Sequence, residues 1–460
     1  MSGLAEILLN LDYVVSGSDI QPSEITDRLA HSGLRFYTGH HADHLGDADI
    51  VVVSAAVASD NAEVVAARER NIPVLHRSEI LADLIRLKPN AVVVGGTHGK
   101  TTTTSMISAI LDHADIDATS IIGGILHRSG TNARWGTGDC IVAEADEHDG
   151  SFLRLHPTIA VVTNIDAEHL EYYGTLDSIK RAFTDFCNGV PFYGSSIICA
   201  DDPNARTILQ HLECPIVTYG LNEAATLTGS NVSAKPGTEN APLAERLSDL
   251  RTRVDVTCAE GPLPVSGPLG TLEIRALGQD NVRNALAACA VGLSLEIPFA
   301  AIAEGLLQFD GVERRLTVRG SANDVAVVED YAHHPTEIRS TLEAVRWAAP
   351  ARVLCVLQPH LYSRTKFFFE DFAGALALAD RAIVTEIYPS REAPMPGVNS
   401  GLIVDAAHAL GADHVELLND MNQVPEHLAG ICEPGDLVLI LGAGNINRIV
   451  PAVLEALESS

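Results

Sequence analysis

A glycine-rich stretch around residue 100 has the residue types of a phosphate-binding loop. Its members are Gly96, Thr97, His98, Gly99, Lys100, Thr101 and Thr102. An apolar run at 91–94 precedes it and a helical pattern at 105–111 follows it, which predicts strand, loop and helix. The N–H groups of such a loop converge on phosphate oxygens, Lys100 can reach terminal phosphates, and Thr101 can offer its hydroxyl to Mg²⁺. The sequence therefore predicts a nucleoside triphosphate site.

The loop departs from the strict pattern at one position. That pattern places a glycine five residues before Gly99, where this chain has Val94. An ordinary strand-to-helix turn that happens to contain Gly-Lys-Thr is the alternative interpretation. The valine run before the loop and the helix after it favour phosphate binding.

Two further apolar runs end in carboxylates and histidines. The run at 140–143 leads into Glu144, Asp146, Glu147, His148 and Asp149, and the run at 159–163 leads into Asn164, Asp166, Glu168 and His169. Ligands gather at strand ends in open α/β sheets, and Mg²⁺ takes oxygen ligands that it shares with phosphate. The combination predicts a two-cation phosphoryl site, with a pair of solvated, charged loops as the alternative.

A polar helix start at 278–288 offers two amides. Asn281 and Asn284 are three residues apart, so they share one helical face and can both meet a planar ligand such as a purine edge. Helix capping by Asp280 or Asn281 is the alternative. The preceding segment, 213–277, predicts a β-rich extension with an exposed loop at 226–242.

The α/β rhythm continues at both ends of the chain. Three predicted strands, at 325–328, 352–357 and 437–441, are followed by polar or glycine clusters, which predicts a second ligand-facing crevice. Gly442 and Gly444 resemble a dinucleotide fingerprint only weakly, because its third glycine is absent.

Near the start of the chain, Asp19 ends a predicted strand at 13–19. A ribose contact and a turn explain an acidic residue at this position equally well.

Length and composition set further bounds. A chain of 460 residues predicts about three domains, and without a long apolar run or signal-peptide pattern we expect a soluble, cytoplasmic protein. The eight cysteines stand singly in the sequence, so we expect reduced, mostly buried thiols.

The formal charge of −29 argues against a nucleic-acid-binding surface. An acidic surface poor in lysine fits a high-salt cytoplasm, and a GC-rich genome is the alternative.

Six sequence pieces, in order and spacing, resemble the Mur ligases of peptidoglycan synthesis. They lie at 96–104, 144–147, 163–169, 281–285, 330–337 and 358–365. The resemblance covers nearly the whole chain and implies an α/β fold of three domains. These would be a truncated Rossmann-like N-terminal domain at 1–87, a central P-loop ATPase-like domain at 88–309, and a Rossmann-like C-terminal domain at 310–460.

The resemblance also implies an activity. It indicates an ADP-forming ligase that uses ATP to join L-alanine to the lactyl carboxylate of UDP-N-acetylmuramate through an acyl phosphate. Its cofactors would be ATP and Mg²⁺, with Mn²⁺ able to replace Mg²⁺. Its partners would be these small-molecule substrates, with neither nucleic acid nor membrane, in a monomer or a homodimer.

Roles in the ATP site follow from the same resemblance. Lys100 would hold the β- and γ-phosphates, within a nucleotide-binding loop that runs from Gly96 to Thr102. Thr101 and Glu144 would hold the first Mg²⁺, and His169 a second cation.

The resemblance assigns the remaining ligands to later residues. Asn281, Asn284 and Arg315 would hold the adenine nucleotide. Tyr331, His333 and Arg364 would place the amino acid, and Asp19 would contact the UDP-sugar. The residues expected to act in catalysis are Lys100, Glu144, His169 and Arg364. From the residues alone, Arg314 or Arg315 is equally well a surface pair, and His333 or His334 a buried structural histidine.

The chain departs from the family pattern in four places. No strand and glycine-rich loop for the UDP diphosphate precede Met1, which suggests a misassigned start codon or a damaged sequence and leaves UDP-sugar binding in doubt. Leu361 stands where many members have an arginine near the amino-acid carboxylate, which leaves Arg364 for that task. Asp280 replaces a common histidine, and Glu168 replaces an aspartate beside His169.

Three other functions stay open at this point. A sibling ligase would attach a recycled tripeptide instead of L-alanine. A truncated form would bind ATP but not the UDP-sugar. A regulatory nucleotide switch would bind ATP without ligation, although a switch has no need for the Tyr331, His333 and Arg364 cluster.

Overall fold

The computed structural model describes residues 1–124, 131–221, 224–235, 241–390 and 392–459. The chain divides into two compact units. The first contains Met1–Ser230, Asp255–Leu272 and Arg283–Phe309. The second contains Asn231–Val254, Glu273–Val282 and Asp310–Ser460.

The first unit begins with alternating helices and strands, as predicted. They are α1 (Ser2–Asn10), β1 (Ser16–Asp19), α2 (Glu24–His31), β2 (Arg35–Thr38), β3 (Val51–Val53), α3 (Ala62–Glu69), β4 (Val74–His76) and α4 (Arg77–Arg86). β1 pairs with β2, and β3 pairs with β4, both in parallel. The strand predicted at 13–19 starts only at Ser16, because the Tyr13 N–H still bonds to the Leu8 carbonyl at the end of α1.

A ten-stranded sheet follows. In chain order, its strands and the helices between them are β5 (Asn90–Gly95), α5 (Lys100–His113), β6 (Thr119–Ile121), β7 (Ala133–Arg134), β8 (Cys140–Glu144), β9 (Ile159–Val162), α6 (Leu170–Tyr173), α7 (Leu176–Asn188), β10 (Ser195–Cys199), α8 (Pro203–Ile208), β11 (Ile216–Gly220), β12 (Leu227–Lys235), α9 (Leu243–Asp249), β13 (Arg251–Cys258), β14 (Gly267–Ile274), α10 (Gln279–Ser294) and α11 (Phe299–Leu307). Of these helices, α9 belongs to the second unit and packs in its core. The strand order is β14-β13-β12-β11-β10-β9-β5-β8-β6-β7.

The phosphate-loop strand β5 is central because both of its faces are covered. Val92, Val93 and Val94 are fully buried, which is what an uninterrupted apolar run in a parallel sheet requires. β5 pairs in parallel with β8 on one side and β9 on the other, with Val94 opposite Glu144. The carboxyl ends of all three strands therefore meet at one edge, as the sequence predicted.

Two local predictions were wrong. The region 226–242 is not mainly an exposed loop, since 227–235 forms β12, Leu243 already begins α9, and residues 236–240 lie outside the described part of the chain. Neither Asp280 nor Asn281 caps α10, because the helix begins at Gln279 and both residues are inside its first turn.

The second unit contains a six-stranded sheet. Its elements are β15 (Thr317–Ala322), β16 (Val325–Asp330), α12 (Pro335–Val345), β17 (Val353–Leu357), α13 (Tyr362–Leu376), β18 (Arg381–Val384), α14 (Gly401–Ala409), β19 (Val415–Leu417), α15 (Val424–Ile431), β20 (Leu437–Leu441) and α16 (Val450–Glu458). The order is β15-β16-β20-β17-β18-β19, with β15 antiparallel to β16. β20 lies between β16 and β17 in parallel, so the three predicted strand ends share one edge.

Apolar clusters cover both faces of this second sheet. One face packs on residues of α12, α13 and α14, and the other on residues of α15 and α16. All eight cysteines fall in the described residues and none forms a disulfide; six are buried, as expected. Among the helices that the structure describes, none is long and apolar enough to cross a membrane.

Candidate active site

The phosphate loop joins β5 to α5 through two glycines that other residues could not replace. Gly96 has a φ of +128°, and a Cβ there would collide with the Thr163 hydroxyl. Gly99 has a φ of +80°, and a Cβ would lie 2.6 Å from Asn284 Oδ1. The loop thereby presents the N–H groups of the first turn of α5, which have no partner within the helix, as an anion-binding end.

The end of β9 fixes the shape of this loop. The His98 N–H donates to Asn164 Oδ1 at 2.8 Å, and the Asn164 amide donates back to the His98 carbonyl at 3.0 Å. The Asp166 N–H donates to Thr97 Oγ1 at 2.8 Å, and His98 Nε2 lies 3.2 Å from Asp166 Oδ2. Loop residues and the strand-end residues beside them thus form one hydrogen-bonded assembly.

Lys100 is partly buried and ion-paired. Its ammonium donates to the Gly96 and Thr97 carbonyls at 2.8 and 2.9 Å and to Glu147 at 2.9 Å. Burial by itself lowers the pKa of Lys100, but the carboxylates of Glu147 and Glu144 outweigh it and leave that pKa raised. The side chain therefore carries a full positive charge at the end of the phosphate loop.

Thr101 and Glu144 lie together on the other side of the loop. The Thr101 hydroxyl is 2.9 Å from Glu144 Oε2, and the Gly123 N–H donates to the same oxygen at 2.8 Å. A Cβ on Gly123 would lie 2.6 Å from Glu144 Oε2, so a glycine is needed for the backbone to approach this carboxylate so closely. A hydroxyl and a carboxylate are hard oxygen donors, which fit Mg²⁺.

His169 directly precedes α6 as its N-cap residue and has a left-handed conformation with a φ of +55°. Its Nδ1 lies 3.5 Å from Glu171, and its Nε2 lies 4.0 Å from Glu147. The His148 ring stacks on it at a centroid distance of 4.7 Å. The structure thus brings His169 next to the carboxylate that pairs with Lys100.

The three carboxylates after β8 have different environments. Asp146 is exposed and forms an ion pair with Arg77, while Asp149 lies 3.4 Å from His76. Glu147 is buried, and burial raises its pKa although Lys100 opposes the shift. His76 at the end of β4 and Arg77 at the start of α4 thus anchor the loop that places Glu147 beside Lys100.

The two predicted nucleotide amides have separate contacts. Asn284 is buried and accepts a hydrogen bond from the Thr103 hydroxyl of α5 at 3.1 Å, so it belongs to the phosphate-loop assembly. Asn281, in the second unit, donates to the Leu277 carbonyl at 2.7 Å. Their predicted contact with adenine stays a prediction.

In the second unit, Arg315, Tyr331 and His333 form one cluster after β16. The Arg315 guanidinium lies 5.3 Å from the Tyr331 ring centre, and the Tyr331 and His333 rings meet edge to face at 5.3 Å. Glu337 lies 3.5 Å from Arg315 and 3.2 Å from His333 Nδ1. Cation–π and ionic contacts therefore hold the three predicted residues together.

Arg364 contacts this cluster indirectly, through His360. The Arg364 guanidinium lies 3.1 Å from His360 Nδ1, and the His360 ring lies 5.8 Å from the ring of His333. Arg364 is only 8% exposed. Leu361 has a φ of +72° and bonds through its N–H to the Tyr388 carbonyl.

The structure resolves two open alternatives. Arg314 is not a surface pair, because it binds buried Glu329 at 2.6 Å and the Gly442 carbonyl at 2.8 Å. His334 is buried and caps α12 together with Glu337, which are the contacts of a structural histidine. The ligand roles of Arg315 and His333 stay predictions.

Asp19 lies at the exposed carboxyl end of β1, as predicted. Its side chain accepts the N–H of Ile20 at 2.7 Å, and its carbonyl accepts the N–H of Gly39. These local contacts are those of a turn residue, and the ribose contact stays a prediction.

Two residues received no role from the sequence. Glu147 was one of four adjacent acids, and only burial distinguishes it from the others. His360 links Arg364 to His333, and its position directly after the β17 region is the signal that could have identified it.

Three family models match successive parts of the chain. The catalytic domain of the Mur ligase family matches residues 1–89, the Mur ligase middle domain matches 94–292, and the Mur ligase glutamate ligase domain matches 314–444. The three-domain architecture expected from the sequence is thereby confirmed. The residue boundaries that we gave for the domains stay predictions.

Similar proteins agree with these models. UDP-N-acetylmuramate–L-alanine ligase of Syntrophotalea carbinolica is 48% identical over 458 residues, covering 100% of this chain and 96% of that protein. The crystal structure of UDP-N-acetylmuramate-alanine ligase from Thermotoga maritima matches 100% of this chain and 96% of that one, with a TM-score of 0.78 and 28% identity.

A murein peptide ligase from Psychrobacter arcticus has the same fold. It matches with a TM-score of 0.69 and 23% identity, over 100% of this chain and 97% of that one. From its three matched domains and its full-length relatives, this chain belongs to the Mur ligase family and is an ATP-dependent ligase.

Proposed function

We propose that this chain joins L-alanine to the lactyl carboxylate of UDP-N-acetylmuramate, with ATP converted to ADP and phosphate. One observation carries the proposal: Lys100, Thr101 and Glu144 lie at one end of a phosphate loop in a chain that aligns over its full length with ligases of that name. Such a loop serves phosphoryl transfer, in which positioning and charge stabilisation supply most of the catalysis.

The proposed reaction has two steps, phosphorylation of the carboxylate and then attack by the amine. A carboxylate oxygen of the lactyl group attacks the γ-phosphorus of ATP, the bond to the β-phosphate oxygen breaks, and ADP leaves. The amine nitrogen of L-alanine then attacks the acyl carbon to give a tetrahedral intermediate. Phosphate departs with the former carboxylate oxygen, the amine loses a proton, and the amide remains.

Residues of the first unit would serve the first step. Lys100 places a positive charge where charge builds up on the transferred phosphoryl group. Thr101 and Glu144 would hold Mg²⁺, which neutralises phosphate charge when bound. His169 would hold a second cation, and the N–H groups at the start of α5 would bind phosphate oxygens.

Residues of the second unit would place the acceptor. Arg364 would pair with the carboxylate of L-alanine, since a guanidinium matches a carboxylate in two parallel hydrogen bonds. Tyr331 and His333 would line the same place. Asn281, Asn284 and Arg315 are proposed for the adenine nucleotide, and Asp19 for the UDP-sugar.

An acceptor comparison tests the proposal. ADP release would be measured with UDP-N-acetylmuramate and either L-alanine, glycine, L-serine or the tripeptide, and the products identified by mass spectrometry. We expect the highest kcat/KM with L-alanine. A preference for the tripeptide would establish the sibling activity, and ATP binding without any ligated product would contradict both.

Two variants make the comparison specific. We expect Lys100→Met to lower kcat at least about 100-fold, because one preorganised charge at the reacting centre is lost. Lys180→Met, which removes a lysine from α7, is the matched control and should retain turnover.

A further inference from the structure

We propose that His360 is a positioning residue for Arg364 and acts as a neutral imidazole that accepts a hydrogen bond from the guanidinium. Arg364 Nη1 lies 3.1 Å from His360 Nδ1 and 3.4 Å from the His360 carbonyl oxygen. With this edge of the guanidinium held, the group keeps one orientation toward the carboxylate of the acceptor. The link to the acceptor rests on the proposed function of Arg364, whereas the protonation state of His360 does not.

The chemistry of the two groups fixes the direction of this hydrogen bond. A guanidinium has only N–H donors and no acceptor, so His360 Nδ1 must be the acceptor. An imidazole nitrogen accepts only when it carries no proton, which makes the ring neutral with its hydrogen on Nε2. Protonation of His360 would therefore break the contact and place a positive imidazolium beside the Arg364 guanidinium.

Contacts other than those with Arg364 hold the imidazole in place. His360 and Tyr388 form an isolated parallel bridge, and the Tyr388 N–H donates to the Pro359 carbonyl at 2.8 Å. The Tyr388 ring stacks on the His360 ring at a centroid distance of 5.8 Å, with an angle of 15° between the planes. A fixed imidazole can thus orient the longer and more flexible arginine side chain.

The backbone that carries Arg364 has an anchor of its own. Glu392 accepts the Ser363 N–H at 2.9 Å and also the Ser363 hydroxyl, at the start of α13. A carboxylate at this end of a helix also opposes the helix dipole favourably. Glu392 therefore fixes where Arg364 begins, and His360 fixes where its buried guanidinium ends.

The neighbouring imidazole has the opposite hydrogen-bonding role. His333 Nδ1 lies 3.0 Å from the Tyr331 carbonyl oxygen and 3.2 Å from the Glu337 carboxylate. Both of these groups are acceptors, so His333 Nδ1 carries a hydrogen. A second proton on His333 would keep these contacts and be favoured by Glu337, whereas a second proton on His360 would be opposed by Arg364.

The surroundings of His360 give the sign of the expected pH dependence. The charged or titratable side chains that face its ring include Arg364 from α13, His333 from the segment after β16 and Tyr388 from the segment after β18. Arginine stays charged and tyrosine neutral at acidic and neutral pH, and histidine gains a positive charge as the pH falls. Acidification therefore acts against the contact between His360 and Arg364, and acceptor binding should weaken with it.

Two variants separate positioning from packing. His360→Asn keeps an oxygen acceptor near the place of Nδ1 but does not titrate, and His360→Leu fills the space without an acceptor. At pH 8 we expect His360→Leu to raise the KM for L-alanine at least about 10-fold, because the buried guanidinium loses a partner, with the KM for ATP unchanged. His360→Asn should stay within about 3-fold of the unaltered protein. Circular dichroism would verify that both variants fold.

A pH profile provides a readout that loss of packing would not change. ADP release at several L-alanine concentrations would be measured between about pH 5 and pH 8. As the pH falls, the KM for L-alanine of the unaltered protein should rise at least about 3-fold relative to that of His360→Asn, a comparison that cancels titration of the substrate amine. His427→Asn, which removes a histidine of α15 paired with Glu416, is the matched control and should keep the profile of the unaltered protein.

Nitrogen NMR tests the protonation state without any substrate. In the full-length protein labelled with ¹⁵N-histidine, the His360 ring signals are those that disappear in His360→Asn. Couplings between the carbon-bound ring protons and the ring nitrogens distinguish the two neutral tautomers. We expect a hydrogen on Nε2 and none on Nδ1 at pH 8.

Three results would overturn the inference: an unchanged KM for L-alanine in His360→Leu, equal pH profiles in the unaltered protein and His360→Asn, or a proton on His360 Nδ1 at pH 8. A preference for the tripeptide would contradict the proposed function instead. The same variants assayed with that acceptor would then still test His360, because any acceptor carboxylate held by Arg364 depends on its orientation.

Discussion

Lys100 and Glu147 form a buried ion pair at the centre of the phosphate loop, and each partner depends on the other. Lys100 is 15% exposed in its side chain and Glu147 only 6%. Removing one partner of a buried pair is costly because it leaves the other charge without compensation. The pair therefore sets both the stability of the loop and the orientation of the ammonium.

Glu147→Gln tests this interdependence. Without nucleotide, we expect the variant to be less stable by about 1–3 kcal/mol, because the buried ammonium keeps an oxygen acceptor but loses its counter-charge. Saturating ADP should reduce the difference, since its phosphates supply negative charge. Urea unfolding with and without ADP measures both.

Glu213→Gln serves as the control for this prediction, because Glu213 is an exposed carboxylate of the same unit. An equal loss of stability in Glu147→Gln with and without ADP would show that phosphate does not approach Lys100.

Asp330 provides a pH-dependent prediction in the second unit. Burial raises the pKa of Asp330 to about 6, although Arg315 and the N–H groups of Leu316 and Ala332 oppose the shift. A raised folded-state pKa means that the folded protein binds the proton more tightly than the unfolded chain. The stabilisation is therefore complete below pH 4 and is lost as the pH rises through about 6.

Urea unfolding at two pH values measures this effect. Between pH 7 and pH 5, Asp330 should add about 1.4 kcal/mol to the stability of the unaltered protein, relative to Asp330→Asn, which does not titrate. The comparison with the variant cancels the other titrating groups. A difference that does not change with pH would show that Asp330 titrates alike in both states.

At the scale of elements, the β5–loop–α5 unit depends on glycine conformation. Gly96→Ala should abolish ATP binding, because alanine rarely adopts a φ of +128° and its Cβ would collide with Thr163. Gly430→Ala, in the last turn of α15 with open space around it, is the matched control and should gain up to about 1 kcal/mol of stability.

Fluorescent-nucleotide titration and thermal unfolding would measure the two outcomes. Normal ATP affinity in Gly96→Ala would contradict the described loop geometry.

The elements that carry the site were predictable because their sequence signals are strong. Continuous apolar runs identified β5, β8 and β9, and their shared edge followed from parallel pairing. β12 was missed because its sequence, LTGSNVSAK, is polar and rich in turn residues, and pairing within the sheet overrides those preferences. The start of α10 was placed two or three residues too late, because the cap was assigned to Asp280 or Asn281, whereas Gly278, with a φ of +87°, directly precedes the first helical residue, Gln279.

Individual roles were harder to predict than elements. The sequence identified Lys100, Thr101 and Glu144, and the structure brings them together with the hydrogen bonds that their chemistry requires. It could not separate Glu147 from Asp146, because that distinction depends on burial and on Arg77, which is 69 residues away in the chain. It left Arg314 and Arg315 equal, and only the contact with buried Glu329 assigns Arg314 to the fold.

At the scale of the whole molecule, three successive Mur ligase domains make up the chain. Its formal charge of −29 is interrupted by individual cations at the predicted site, namely Lys100, Arg315 and Arg364. A chain with this charge attracts anionic substrates only where such local cations lie. This is the arrangement that binding of nucleotide and carboxylate substrates requires.

The central claim is that these residues activate a carboxylate by phosphorylation, and oxygen transfer tests it most directly. UDP-N-acetylmuramate labelled with ¹⁸O in the lactyl carboxylate would be incubated with ATP, Mg²⁺ and L-alanine, and the released phosphate analysed by mass spectrometry. The account predicts one ¹⁸O atom in each phosphate released. Phosphate without ¹⁸O, released together with the ligated product, would contradict it.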